Sequence, residues 1–551
     1  MKKTLAILLF IFSSNLHADA GIATAHPLAT EAGEKILAQG GNAFDAAVAI
    51  SAALAVVEPY SSGIGGGGFW LLHRSSDGFE TMIDGREKAP LKSHRDMYLD
   101  KNGNVISLAS IDGALSAGIP GVPAALEHLS KKYGKLSLKQ SLQPAISYAR
   151  NGFAVDGHYQ RMASFRLAAL RASPAAAKIF LKNNNVPEEG YIVKQADLAR
   201  TLEIIAEKGS AGFYTGELAD AFIRGVKDAG GIWSLEDLKK YFVIERKPIT
   251  GQFHEMKITS AAPPSSGGIA LVEILNQLSY YPLSSLDKPQ AVHLTIEAMR
   301  RAYRDRAQFM GDTDYVSVPV ERLLSKDYAA GLAAGIHPDK ATPSNLLPGV
   351  THENNSKDTT HFSVIDHQGN KVSATLSINY PFGSCFVPPG TGVLLNDEMD
   401  DFSSKPGVAN AYGLVGAEAN AIEPGKRMLS SMTPTFLETD ERLAVIGTPG
   451  GSQIITMVLL GSLRFYFGED VESIVNGPRF HHQYLPDRVS YEPDAFNSET
   501  LKVLKNKKHA LKQSKRSWGN MQLVIWDKRK KAMTAASDKR GLGEAKVILN
   551  Q

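Results

Sequence analysis

The chain of 551 residues holds one cysteine, Cys385. A lone thiol cannot close an intramolecular disulfide, so the fold must be held by packing even in an oxidising compartment. Charge of one sign is lacking too: 60 Lys and Arg stand against 57 Asp and Glu, a formal net charge of +3. That balance gives no electrostatic basis for a nucleic-acid or membrane-surface partner. One cluster departs from it, Lys502 to Arg516, where eight of fifteen residues are Lys, Arg or His. No aromatic side chains interleave there to stack on bases, so the cluster reads as a solvated surface. Long apolar runs are missing as well. The most apolar stretch, Ala43 to Val57, carries Asp45 and falls short of the roughly 20 residues that span a bilayer. It reads as a buried helix capped by Asn42 and closed by Glu58-Pro59, preceded by a helix from Thr30 to Gln39 that stops at Gly40-Gly41.

What is present suits a folded domain, since 43% hydrophobic and 8% aromatic content can fill a large core. Met1-Lys2-Lys3, the apolar stretch Leu5 to Phe12 and Ala18-Asp19-Ala20 form the charged start, apolar centre and small-residue cleavage site of a secretory leader. Residues 1–20 are therefore expected to be removed on export to a bacterial periplasm or the medium, leaving no membrane anchor. Helical and strand patterns mix throughout, which implies an α/β or α+β architecture. From Ile336 to Asp358 no period holds, and Pro338, Pro343 and Pro348 punctuate a long loop. Then Thr359 to Asp366 reads as a strand, His367 to Asn370 as a turn, and Lys371 to Asn379 as the return strand. A two- or four-residue turn puts Thr359 opposite Ile378, and a three-residue turn puts it opposite Asn379. Either way residues 377–379 flank Thr359.

Several patterns invite chemistry that their context refuses. Gly63 and Gly65 to Gly68 satisfy G-x-G-x-x-G, but a helix and Pro59 precede them and Phe69 to Leu72 looks like a strand, the reverse of a dinucleotide site. A turn or close packing is the expected role. Cys385 lies among apolar neighbours in Phe382-Gly383-Ser384-Cys385-Phe386, the setting of a buried, inert thiol rather than a nucleophile. The acidic run Asn396 to Phe402 lacks the glycine and final glutamate of a calcium loop. Adjacent His481 and His482 are expected to be structural. No metal and no cofactor are expected.

Other motifs form a set: Asp84-Gly85-Arg86-Glu87, Pro263-Pro264-Ser265-Ser266-Gly267-Gly268, Asp358-Thr359-Thr360-His361, Asn396 to Phe402, Lys426 to Met432, Gly447 to Ser452, and Pro478 to Gln483. In this order and spacing the chain resembles the gamma-glutamyltransferase family over essentially its whole mature length. The resemblance implies an α+β fold, the four-layer αββα sandwich of N-terminal-nucleophile hydrolases, built jointly by a large subunit, 21–358, and a small one, 359–551. These would arise by self-cleavage between Asp358 and Thr359. The freed α-amine, with a pKa of about 7.7 to 8.0, would serve Thr359 as a local base. Thr359 would then take the acyl group of glutathione or another γ-glutamyl compound and pass it to water, an amino acid or a peptide.

By the same correspondence, Gly450 and Gly451 hold the oxyanion, and Ser377 hydrogen-bonds the nucleophile. Arg86 and Ser430 clamp the α-carboxylate. Asn379, Glu398 and Asp401 take the α-ammonium, with Ser431 a further polar contact. Pro406 to Asn420, with Tyr412, resembles a lid. A same-fold acylase acting on another amide, such as a cephalosporin side chain, is the alternative, and a processed, inactive binding protein is a third reading. Ser377 in place of a common threonine, Tyr380-Pro381, and Asp538-Lys539-Arg540 without a usual proline depart from the family pattern. The purified protein should run as two chains, with the smaller beginning at Thr359, and Thr359→Ala should remain one inactive chain. Terminal sequencing that starts elsewhere would remove Thr359 as nucleophile.

Overall fold

Seven antiparallel strands form one sheet, in the order Glu544–Ile548, Ala20–Thr24, Thr360–Ile365, Lys371–Ser377, Gly67–Arg74, Phe79–Asp84, Ile244–Arg246. Six form a second: Ala532–Ser537, Gln522–Asp527, Arg442–Gly447, Thr435–Glu438, Met256–Ser260, Ile249–Phe253. The computed structural model describes residues 19–347, 359–403, 405 and 416–550. Residues 1–18 of the expected leader, Asp358 and Tyr412 lie outside the described residues. Among the described residues, no helix is long and apolar enough to cross a membrane.

Strand periodicity sets the layers. Trp70, Leu72, Phe362, Val364, Val372 and Ala374 share a core with the helices Pro27–Ala38, Ala43–Val57 and Leu138–Asn151. The alternate residues Phe69, Leu71 and Ile365 face the other way, into a core shared with the second sheet and with Gly267–Leu278, Lys288–Phe309 and Ile454–Tyr466. The result is the four-layer αββα arrangement. Strands from both sides of position 359 interleave in each sheet: Thr360–Ile365 lies between Ala20–Thr24 and Lys371–Ser377, and Met256–Ser260 pairs with Thr435–Glu438.

Ala43–Val57 is buried along its whole length and starts with a capping box between Asn42 and Asp45. The helix before it runs from Pro27 to Ala38 rather than from Thr30, because His26 caps it through Nδ1, which accepts from Leu28 N, and Pro27 opens it. The segment expected to be a loop from Ile336 is pinned as far as Leu347. Thr342 N donates to Glu297 Oε1 at 3.2 Å, Ser344 N donates to Asp487 Oδ2 at 2.7 Å, and a short turn spans Ser344–Leu346. The basic cluster departs from expectation at two residues. Lys507 and His509 turn inward, with Lys507 Nζ 2.6 Å from Pro338 O and His509 Nε2 2.7 Å from His293 Nδ1.

The hairpin register differs from both expected alternatives. Its pairs run from Ile365↔Lys371 to Thr360↔Leu376, so one further step places Ser377, not Ile378 or Asn379, opposite Thr359. The cause is a three-residue loop, 367–369, closed by Asp366 N donating to Asn370 O at 3.0 Å, with Gly369 at φ 81°. The Asp366 carboxylate accepts from Gln368 N, Asn370 N and Asn370 Nδ2, and also from Ala43 N at 2.8 Å. It ties the hairpin to the start of the buried helix. Asp366→Ala strands these donors and should lower stability by about 3 kcal/mol, read as a lower urea midpoint at unchanged m-value. An unchanged midpoint would mean that Asp366 does not fix the loop.

Candidate active site

Thr359 stands just before the central strand Thr360–Ile365. Side chains alternate along that strand, so His361 and Ser363 face the second sheet, where Ser363 Oγ donates to Gln522 O at 3.1 Å. Thr360 faces the helices, where its hydroxyl donates to Glu58 Oε2 at 2.6 Å. Thr359 shares the His361 face, and Ser377 lies on the same face of the neighbouring strand. Ser377 Oγ accepts from Asn379 N at 2.8 Å, and Asn379 takes a left-handed φ of 74° while its Nδ2 donates to Asp397 O at 3.0 Å. Gly66 explains the glycine run: a Cβ there would sit 2.2 Å from Ser377 O. Close packing of strands, not cofactor binding, requires it.

From the second sheet, Arg442–Gly447 leads into Gly450 and Gly451, at φ 136° and 55°, and then into the helix Ile454–Tyr466. These angles favour glycine and aim the amides of the turn near a helix N-terminus. The turn is braced from behind. Tyr303 Oη donates to Ser452 O, Ser452 Oγ donates to Gln483 Oε1, and His481 links Gln483 to Thr456. His481 is thus a brace. His482 is buried beside Asp487, and burial holds its imidazole down at about 4.

Arg86, Ser377, Asn379, Glu398, Asp401, Ser430, Ser431 and Gly451 line one pocket with Thr359. Gly450 lies instead on a cleft of about 930 Å³ on another side of Thr359, where Glu58, Tyr60, Arg161 and Arg516 also stand. The pocket itself holds only about 20 Å³, because its charges close on one another. Arg86 Nη1 is 2.6 Å from Glu398 Oε2, Nη2 is 2.5 Å from Asp401 Oδ2, and Glu87 follows at 3.6 Å. Burial opposes the charge on Arg86, but these carboxylates outweigh it and hold the guanidinium above its ordinary value. One guanidinium cannot neutralise buried Glu87 and Glu398 together with the partly buried Asp401. Burial pushes Glu87 up to about 8 and raises Glu398. We assign the retained proton to Glu87, the more distant from Arg86. Neither oxygen of Glu398 receives an aligned hydrogen-bond donor.

The flanking motifs hold these groups in place. Arg86 N donates to Asp84 Oδ1 at 3.0 Å, and Asp84 is paired with Arg246 and Arg427. Ser430 N donates to Pro264 O, and Ser266 donates to Ser430 O through both its amide and its hydroxyl. Cys385 is buried, its thiol pushed up to about 12 by burial against the opposing charge of Arg166.

The profile of the family described as Gamma-glutamyltranspeptidase matches residues 29–548. The chain belongs to the gamma-glutamyltranspeptidase family. It is 44% identical over 491 residues to a glutathione hydrolase proenzyme of Pseudomonas sp. (strain A14), covering 88% of this chain and 85% of that one. To the glutathione hydrolase proenzyme of Escherichia coli (strain K12) it is 42% identical over 501 residues, covering 90% and 86%. In fold it is similar to the crystal structure of a cephalosporin acylase from Bacillus halodurans, with a TM-score of 0.84, 27% identity and 96% of each chain covered. The fold is that of N-terminal-nucleophile hydrolases.

Sequence reading missed several neighbours of the site. Ser452 follows Gly451 directly and could have been taken with it. Glu58 closes the apolar helix in sequence, and a carboxylate between such a helix and a glycine run is a usable signal; burial pushes it up to about 7 against the Thr360 hydroxyl. Arg306 had no signal, being one of several arginines in Lys288–Phe309. Arg86→Met leaves Glu398 and Asp401 without their cation and should destabilise by about 3 kcal/mol at neutral pH. Burial already raises Glu398, and its protonation relieves the loss, so the deficit should shrink as pH falls from 7.5 to 5. Denaturant midpoints at both pH values check this, and a deficit independent of pH would mean that the charges are not coupled.

Proposed function

We propose that this chain is a γ-glutamyl hydrolase and transferase that cleaves the γ-glutamyl amide of glutathione and related compounds through an acyl-enzyme on Thr359, after cutting itself between Asp358 and Thr359. The supporting observation is the closed ion cluster beside Thr359. A γ-glutamyl group ends in an α-carboxylate and an α-ammonium, and such a zwitterion can split that cluster by pairing its carboxylate with Arg86 and its ammonium with Glu398 and Asp401. Net charge is unchanged, and Glu398 receives an ammonium donor in place of Arg86. Ser430 and Ser431 add hydroxyl contacts to the carboxylate, and Asn379 adds one on the ammonium side.

In this reading the γ-carbonyl lies between Thr359 Oγ1 and the amides of Gly450 and Gly451, which receive the tetrahedral oxyanion. The α-amine freed by cleavage takes the Thr359 proton and returns it to the leaving amine. The open cleft past Gly450 lets that amine depart and lets water, an amino acid or a peptide attack the acyl group. Residues 1–20 direct the chain out of the cytoplasm, and residues 21–358 and 359–551 stay joined because each sheet needs strands from both. An acylase for another amide is disfavoured: an acyl group without the zwitterionic end would bury Arg86, Glu398 and Asp401 with nothing to separate them.

Release of 4-nitroaniline from γ-glutamyl 4-nitroanilide by the two-chain protein tests the reading. Turnover only of another acyl amide would overturn it. Within it, Ser377 faces Thr359 across the strand pair and should support the nucleophile. Ser377→Ala, fully processed, should acylate about one to two orders of magnitude more slowly, while Ser377→Thr should remain near wild type. A wild-type acylation rate in the alanine variant would leave Ser377 a space-filling role.

A further inference from the structure

Arg306 lies near the end of the helix Lys288–Phe309 with 4% of its surface exposed. Its Nε donates to Ser266 Oγ at 2.9 Å and its Nη2 donates to Ser431 Oγ at 3.2 Å. Both partners are neutral. The other deeply buried arginines behave differently: Arg300, Arg301, Arg427 and Arg479 each have a carboxylate within 4 Å. Among the described residues Arg306 forms no such ion pair. Burial is the main influence on its guanidinium, which is pulled down to about 10 against the opposing effects of Tyr303 and Asp401. A buried cation with no carboxylate in contact is unfavourable, and it makes sense where a ligand brings one within reach.

Its two hydroxyl partners point to that ligand. Ser266 accepts from Arg306 and donates onward to Ser430 O at 2.7 Å, so Arg306 fixes the backbone of Ser430. Ser431 accepts from Arg306 and lines the pocket, which leaves its own proton to be donated there. Arg86, the cation that lines the pocket, is already shared among Glu87, Glu398 and Asp401. With Glu87 protonated, the remaining pair of carboxylates still outweighs the one guanidinium. A second positive charge close by favours a ligand carboxylate that draws Arg86 away from this pair.

We infer that Arg306 is a positioning residue for the α-carboxylate of the γ-glutamyl group, supplying the counter-charge through the Ser431 hydroxyl and holding Ser430 through Ser266. This rests on the γ-glutamyl reading of the pocket. The experiment compares kcat/KM for γ-glutamyl 4-nitroanilide and for 4-aminobutyryl 4-nitroanilide, which lacks the α-carboxylate, in the processed wild type, Arg306→Met and Arg306→Lys. On the γ-glutamyl substrate Arg306→Met should lose on the order of tenfold to a hundredfold, with Arg306→Lys between it and wild type. On the 4-aminobutyryl substrate the three proteins should be nearly equal. Equal losses on both substrates would reduce Arg306 to a structural role and overturn the inference. The double variant Arg306→Met/Ser431→Ala gives an independent check. If Arg306 acts through Ser431, its loss is smaller than the product of the single losses, and strictly multiplicative losses overturn the inference. Should Arg306→Met fail to fold, the same comparisons with Arg306→Lys decide. Absence of any γ-glutamyl turnover in the wild type is a different failure, that of the functional reading itself.

Discussion

The rest of the site depends on one register, that of Thr360–Ile365 against Lys371–Ser377. Because side chains alternate with a period of two, this pairing decides which residues meet the helices and which meet the second sheet. It sends Thr360 to Glu58 and directs His361, Ser363 and Ser373 toward the other sheet. There Ser373 Oγ donates to Ile446 O at 3.1 Å and receives Thr435 N at 3.1 Å. His361 packs so closely that a Cβ on Gly447 would fall 2.1 Å from its ring. Burial keeps that imidazole neutral, down to about 3, and Thr375 and Ser363 satisfy its two nitrogens. These contacts lock the sheets together at the end of the strand that leads into Gly450 and Gly451. Shifting the hairpin by one residue would turn the apolar face of Phe362 and Val364 onto this polar seam.

Charge is arranged in tiers around the pocket. Arg86 meets its carboxylates at the front, and behind it Asp84 is shared by Arg246 and Arg427 while holding the Arg86 amide. Arg246 also reaches Asp314 at 2.7 Å, and Asp312 accepts from Arg427 N at 2.8 Å. Truncating any member of such a lattice leaves a buried charge without a partner, so the lattice resists change as a unit. A rigid frame of this kind keeps the front pair aligned for exchange with a ligand.

Motifs were legible where local chemistry repeats a pattern: Arg86, Glu398, Asp401, Ser430, Ser431 and Gly451 were all picked out in sequence and all line one pocket. The αββα layering followed from the same resemblance. Register was not legible, because the carboxylate that fixes the turn, Asp366, also binds Ala43 N, more than three hundred residues away in the chain. The first helix begins three residues before the expected Thr30 because His26, an uncommon cap, opens it. Lys507 and His509 looked like surface because their partners, Pro338 O and His293, lie far off in sequence. Gly450 and Gly451 are grouped in the sequence, and both border Thr359, Gly450 from the open cleft and Gly451 from the closed pocket.

In the proposed reading, that division lets Thr359 serve two unequal halves of a substrate. On one side the pocket is small and densely charged, with room for little more than one water until its ion pairs part. On the other side the cleft of about 930 Å³ is open, rimmed by Arg161, Lys515 and Arg516 at the surface. In that reading selectivity belongs to the closed side. There, a group with the wrong charges must break the contacts of Arg86 with Glu398 and Asp401 without replacing them, while a zwitterion of the right length replaces both. Among the described residues that line the open side, buried Glu58 stands with exposed Arg161, Lys515 and Arg516 rather than in a closed ion cluster, so this side can accept leaving groups and acceptors that differ widely. An enzyme built this way reads the acyl half strictly and the amine half loosely, because desolvated charge discriminates far more sharply than a solvated rim.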